Sequence, residues 1–516
     1  VDDPVYRDID KLIAAGLVKD VIYGHRPWSR REIARIISVA LKNREKIGPP
    51  IAPDDREVSL RIYVDDILER LQERFREEPK EFRLHPLEEV RFDYTILDSP
   101  FRTVPANNGI GQIDAVINPL VAYREGRHFV DGHTIGLETA HSARLSKYFS
   151  LYFRPRFEVL APNTGSSDAN FIVQKLYGKF AYRNFELEIG RDSLVWGQGE
   201  HGGFLLSNNA RPLDMITLGN VSPFYLPWIF KYLGPNSIRI FFAEMGPERE
   251  FPHAILSGYK WSFKPVHFFE IGLNHVVLMG GDGANGPSFF EAIGEFTGIL
   301  SAVTENKGGA AFTNRIFSVD GRITFPFLRN SVFYAEVAFD DTNNEIDVLF
   351  EDNGLYFAGF YIPRLTPSGS VDLRLEYRHI PGVAYRHSLY TSGWTLNRRL
   401  LGDEIGPDGD GFSAKVRADL TDRLLLETEA AYERRDSDLL TTVTSGPDVV
   451  DIAKAQDNPA EHRVRWQGDL CWQVRKDLEA RFGLGYEHAH NFNFAQNQDV
   501  DNWLGTFALK WRPRIF

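Results

Sequence analysis

The sequence predicts a large transmembrane antiparallel β-barrel of about 18 strands, preceded by a small helical domain. Three observations carry this expectation. The apolar period is 3.6 up to about residue 86 and becomes 2 from there to the C-terminus. No run of about 18 uncharged apolar residues occurs, so no membrane-crossing helix is expected. Phe (38) and Tyr (20) are plentiful against Met (3), and aromatics favour strands and membrane interfaces. The 516 residues exceed one ordinary soluble domain. The formal charge of −12 argues against a nucleic-acid partner, which needs a basic face. Cys471 is the single cysteine, which rules out an internal disulfide and a cysteine-based zinc site.

The helical domain is expected over residues 1–86. Ile9, Leu12, Ile13 and Leu17 recur at helical spacing. Ser29 and Glu32 have the spacing of a capping box, followed by an apolar stripe of Ile33, Ile36, Ile37 and Leu41. The stretch "GPPIAP" breaks the chain. A longer helix then carries Leu60, Val64, Ile67, Leu71 and Phe75 on one face and charges on the other, so it should pack on the first two helices and face water. Val1 opens no signal peptide, and an outer-membrane chain needs one, so Val1 is expected to follow a cleavage site. The domain is then expected in the periplasm.

The barrel is expected over residues 87–516. In "VDLRLEYR", Val371, Leu373, Leu375 and Tyr377 alternate with Asp372, Arg374, Glu376 and Arg378. Near the end, Val464, Trp466, Leu470 and Trp472 alternate with Arg463, Arg465, Gln467 and Asp469. Such strands of about 9–12 residues can cross a bilayer at a tilt. Their charged face suits a wet lumen, and closure satisfies every backbone donor and acceptor without an edge. Turn-rich stretches separate them, among them "APNTGSSDAN", "GGDGANGPS" and "TSGPDVVDIAKAQDNPA". The chain ends on Phe516, as a terminal aromatic strand should, but Phe516 has the opposite parity to Trp503, Phe507, Leu509 and Trp511; a bulge at Pro513 would reset the register.

One segment is no clean strand. Residues 190–220 read "GRDSLVWGQGEHGGFLLSNNARPLDMITLGN". Here Gly197, Gly199, Gly202 and Gly203 allow sharp turns beside Trp196. Asn208, Asn209 and Arg211 can donate to hydroxyls or carboxylates, and Pro212 closes the run. The pattern W-G-x-G followed by L-L-S-N-N-A-R-P resembles the Wzi family of capsule-assembly outer-membrane proteins. That resemblance implies a large barrel behind a periplasmic helical domain, with capsular or exopolysaccharide as partner. In the residues themselves two readings stay open: a sugar-contacting constriction, with Trp196 offering a flat face, or a strand–loop junction packed in the lumen. The opening "YRDIDKLIAAGLV" with "RPWSRREIARII" also resembles a surface-layer-homology segment, which implies a wall-polymer partner.

Catalytic signals are weak. Glu186 and Glu188 share a strand face, as do Glu427, Glu429 and Glu433, but charged alternation is what a lumen wall looks like. His488 and His490 have i, i+2 spacing with no third metal ligand, and read as a solvated loop. "GGDGANG" lacks the Lys and Ser/Thr of a phosphate loop. Cys471 falls on the polar face of its strand. No enzyme activity, cofactor or metal is expected. The function expected is surface attachment or assembly of polysaccharide, with a porin-like channel and an anchor for a partner complex as the alternatives.

Overall fold

A computed structural model describes residues 3–46, 55–75, 82–284, 286–298, 313–340, 354–445 and 448–513. Phe516 and the "GPPIAP" break lie outside the described residues. Eighteen strands form one closed antiparallel barrel in which each strand pairs with its neighbours in sequence. They are β1 Arg83–Asp98, β2 Gly132–Arg144, β3 Phe149–Pro162, β4 Asp168–Tyr182, β5 Phe185–Asp192, β6 Leu213–Asn220, β7 Pro235–Glu244, β8 Ile255–Val266 and β9 Phe269–Met279. Then come β10 Thr313–Phe325, β11 Ser331–Asp340, β12 Leu355–Ile362, β13 Val371–Ile380, β14 Gly409–Thr421, β15 Leu424–Arg435, β16 Glu461–Arg475, β17 Leu478–His490 and β18 Val500–Trp511. Pairing of β18 with β1, from Val90 opposite Trp511 to Asp98 opposite Trp503, closes the ring.

The alternation sorts the side chains as expected. On β13, Asp372, Arg374, Glu376 and Arg378 are buried inside the barrel, while Tyr377 is exposed on its outer wall. Such inward charges persist because they meet partners: Arg156 bonds Asp93 and Glu158, and Lys260 pairs with Asp320. Exposed Phe, Ile, Leu and Trp cover the outside, as a lipid-facing wall requires. Aromatics mark both rims. At the long-loop rim Tyr94 meets His133 and Tyr432 meets His462. At the other rim Trp228, Tyr232 and Phe327 stand exposed.

The two ends differ. Short turns such as 183–184, 267–268, 422–423 and 476–477 join strands at one end, and long connections such as 99–131, 193–212 and 381–408 join them at the other. Two details depart from the sequence expectation. The stretch after Leu439 forms a hairpin of Leu439–Ser445 and Asp448–Gln456 rather than a turn, because its Thr, Val and Ile residues favour extended backbone. Pro513 lies beyond the end of β18, so it makes no bulge within that strand.

The N-terminal part contains α1 Pro4–Ala14, α2 Arg30–Lys46 and α3 Asp55–Phe75. The predicted stripes meet in one core that includes Ile9, Leu12, Ile36, Val64, Ile67 and Leu71. Half of the expected capping box forms. Ser29 accepts from the Glu32 backbone, but the Glu32 carboxylate pairs with Arg35. These helices sit against the short-turn end. Arg7 bonds Asp372 and Asp419, Lys11 donates to the carbonyls of Pro363 and Gly369, and Tyr63 donates to Asp419.

Candidate functional site: a knot inside the barrel

The chain between α1 and α2 does not stay outside. It enters the lumen, where Tyr23 and Gly24 donate their backbone N–H groups to Glu270 on β9 and His25 bonds Ser262 on β8. Residues His25–Arg26 then pair as a short strand with Val195–Trp196, the start of the glycine-rich motif. The Arg26 guanidinium donates to three carbonyls of that motif, at Gly197 (3.3 Å), Gly199 (2.6 Å) and Glu200 (3.0 Å). A single arginine thus satisfies the carbonyls of a segment that has no ladder of its own.

Connections from the long-loop end close over the same knot. Tyr385 donates to the Phe204 carbonyl at 2.8 Å, and the Trp394 indole donates to the Leu205 carbonyl at 2.9 Å. Glu125 and Gly126 donate backbone N–H groups to the carbonyls of Asn208 and Asn209. Gln198 donates to Glu270 and Asp320, and Glu200 pairs with Arg374, Lys415 and Arg417 on the lumen wall. All four glycines of the motif are required by geometry. Gly197 has φ +107°, and a Cβ on Gly203 would run into the Glu336 carboxylate. Gly199 would place a Cβ against the Phe357 ring, and Gly202 bridges Ser207.

The structure places the sequence-predicted residues in different settings. Trp196 is 2% exposed and meets the Phe241 ring edge-on at 5.3 Å, so it has no open face for a sugar. Asn208 donates to the Tyr123 carbonyl, and Asn209 donates to the Leu400 carbonyl while accepting from the Tyr123 backbone; both are buried. Pro212 is buried and, with Asn208 and Leu401, borders a small crevice with room for about one water. A second crevice of similar, water-sized room is lined by Tyr123, His201, Glu376, Arg378 and Asp403. Arg211 alone among the four polar and aromatic candidates keeps water access, with a quarter of its side chain exposed. It donates to Asn397 (3.1 Å) and Asp214 (3.2 Å).

Around Arg211 the long loops build a polar strip that sequence reasoning missed. Asn397 reaches Glu248, and Arg398 pairs with Asp114 at 2.9 Å with both side chains about half exposed. Arg26, Gln198 and Glu200 were missed as well. Only the alternation of polar residues with glycines in "WGQGE" hinted at the last two. The carboxylates of Glu186, Glu188, Glu427 and Glu429 lie in the lumen wall against Lys179, Arg417 and Arg465. His488 and His490 lie on the outer face of β17 near its end, not in a loop, each paired with a separate aspartate, Asp501 and Asp499. Cys471 shares the polar face of β16 with Asp469.

Comparison with known proteins adds the following. The chain is 23% identical over 342 residues to an uncharacterized 55.8 kDa protein in the cps region of Klebsiella pneumoniae, covering 63% of this chain. It spans 62% of that relative's length. Its fold superposes with a TM-score of 0.69 and 16% identity on Wzi, an outer-membrane protein involved in group 1 capsule assembly in Escherichia coli and described as a carbohydrate-binding β-barrel; 100% of this chain and 99% of that one are covered. The family model of the capsule assembly protein Wzi matches residues 106–504, which include the knot, the loops that close over it and most of the barrel. The chain therefore belongs to the Wzi capsule-assembly family and is an outer-membrane β-barrel.

Proposed function

We propose that this barrel holds capsular or exopolysaccharide at the cell surface, as an attachment and assembly platform without enzymatic activity. The long-loop end faces outward and the helical domain lies in the periplasm, in keeping with the short periplasmic turns and long outer loops of such barrels. The observation that carries the proposal is the filled lumen. The segment Tyr23–Arg26, the knot at 195–212 and the loop that carries Tyr385 and Trp394 all meet inside the ring. A polymer is therefore engaged from outside, and the polar strip of Arg211, Asn397, Arg398 and Asp114 offers donors and acceptors for hydroxyls and carboxylates.

In this reading the buried motif residues shape the outer loops from below, and Arg211 joins that scaffold to the surface strip. Arg211→Ala together with Arg398→Ala should lower cell-associated polymer severalfold while the amount of folded barrel stays constant. Trp196→Ala should lower the folded barrel itself, because removing a buried indole costs about 3–5 kcal/mol. Unchanged polymer retention in the double arginine variant would move the attachment surface elsewhere.

A further inference from the structure

The connection between β9 and β10 carries a helix, α4 Phe289–Thr297, opened by a capping box of Ser288 and Glu291. It packs on the outside of the barrel. The direction is set by the strand parity: Lys260, Asn274 and Asp320 bond one another inside the lumen, so Ser257, Tyr259, His275 and Arg315 belong to the outward rows. Outward positions on this wall are mostly apolar, and Ser257, His275 and Arg315 interrupt them near the long-loop end. Yet Ser257 is 0% and His275 4% exposed.

Helix α4 covers this polar patch. His275 Nδ1 bonds the Phe296 carbonyl at 3.1 Å, and Arg315 donates to Glu295 at 3.1 Å. The Phe296 ring stacks on Phe242 at 5.4 Å and meets Tyr259 edge-on at 5.7 Å. The exposed residues in the first turns of the helix are Phe289 (75% exposed), Phe290 (80%) and Ile293 (46%), with the capping-box Glu291 exposed at the same end. In water an amphipathic helix turns such residues toward the protein. Here they stay exposed, as do Phe242 and Phe317 of the same outer wall.

We infer that α4 is a lipid-inserted element, lying against the barrel wall with Phe289, Phe290 and Ile293 among the acyl chains of the leaflet at the long-loop end. The occupant follows from continuity: the exposed helix face extends the apolar wall that already meets lipid, and it replaces a polar stretch of that wall with an apolar surface. A mostly covered ion pair and a histidine–carbonyl bond under a helix thus become compatible with a hydrocarbon environment. The inference rests on the outward orientation proposed above and adds that one outer loop is anchored sideways in the membrane.

The test uses Phe290→Cys and Ile293→Cys in a Cys471→Ser background, each nitroxide-labelled and reconstituted in phosphatidylcholine–phosphatidylglycerol vesicles. Val319→Cys on the outer wall and Asp282→Cys in the loop before α4 serve as references for lipid and water. Both helix positions should match Val319, with collisions favouring oxygen severalfold over a water-soluble nickel chelate. Chelate access equal to that at Asp282 overturns the inference. Protection from both reagents with spin–spin broadening also overturns it and assigns the face to a second copy of this chain. Water access at Val319 would instead defeat the reading of this outer wall as lipid-facing. Phe289→Cys supplies a further position should either helix variant fail to fold.

Discussion

Close approach explains individual residues in the knot. Gly203 lies so near Glu336 that any Cβ must displace a buried carboxylate. Gly203→Ala is expected to cost about 1–3 kcal/mol through overpacking, seen as a lower temperature for the gel-mobility shift that marks barrel unfolding. A shift no different from the parent would show that Glu336 yields freely. Asp408 lies in the loop before β14, with φ +61°. Burial and the nearby carboxylates of Asp436 and Asp438 raise its carboxyl to about 6, against the opposing charges of Arg386 and Lys454. The sign follows from linkage. A carboxyl raised in the fold contributes stability that is fully present below its unfolded value of about 4 and is lost as the pH rises through about 6. Asp408→Asn should therefore gain on the parent by about 1 kcal/mol between pH 5 and pH 7.5, since Asn also tolerates this backbone conformation. Parallel melting curves of parent and variant across that range would refute it.

Charge holds the helical domain on the barrel. Asp372 on β13 is 1% exposed and accepts from Arg7 and Lys11 of α1. Asp372→Asn leaves Lys11 without a carboxylate in a buried contact and Arg7 with Asp419 alone, a loss of about 3 kcal/mol. Limited proteolysis in detergent should then release the 1–80 segment faster from the variant than from the parent, with the barrel intact. Equal release rates would assign docking to the Tyr23–Arg26 insertion instead. The period of 3.6 in α1 to α3 was readable because it is local: Ile9, Leu12, Ile36 and Ile67 pack as their spacing implies. The entry of Tyr23–Arg26 into the lumen was not readable. Its partners, Glu270, Ser262 and Gly199, lie more than a hundred residues away and leave no periodic trace.

Filled from both ends, the closed barrel makes a prediction for the molecule as a whole. Protein occupies the lumen from the short-turn end through Tyr23–Arg26 and from the long-loop end through Tyr385, Trp394 and their loop. Planar bilayers containing the purified protein should show no large stable conductance. Steady porin-like steps would revive the channel alternative and remove the argument for external engagement of polymer.

Alternation of one residue in, one residue out determined the barrel, its charged interior and its apolar wall from sequence alone, because side-chain direction in a strand is a property of neighbouring residues. The W-G-x-G and L-L-S-N-N-A-R-P pattern pointed to the family by the same local means. Tertiary structure decided what those motif residues do. Burial of Trp196 against Phe241, anchoring of Asn208 and Asn209 on Tyr123 and Leu400, and exposure of Arg211 beside Asn397 all depend on loops brought together only when the ring closes. The placement of α4 outside the wall has the same origin, since its inner contacts come from β7, β8, β9 and β10 at once. Local spacing carries which way a side chain points; only the closed fold carries what it meets there.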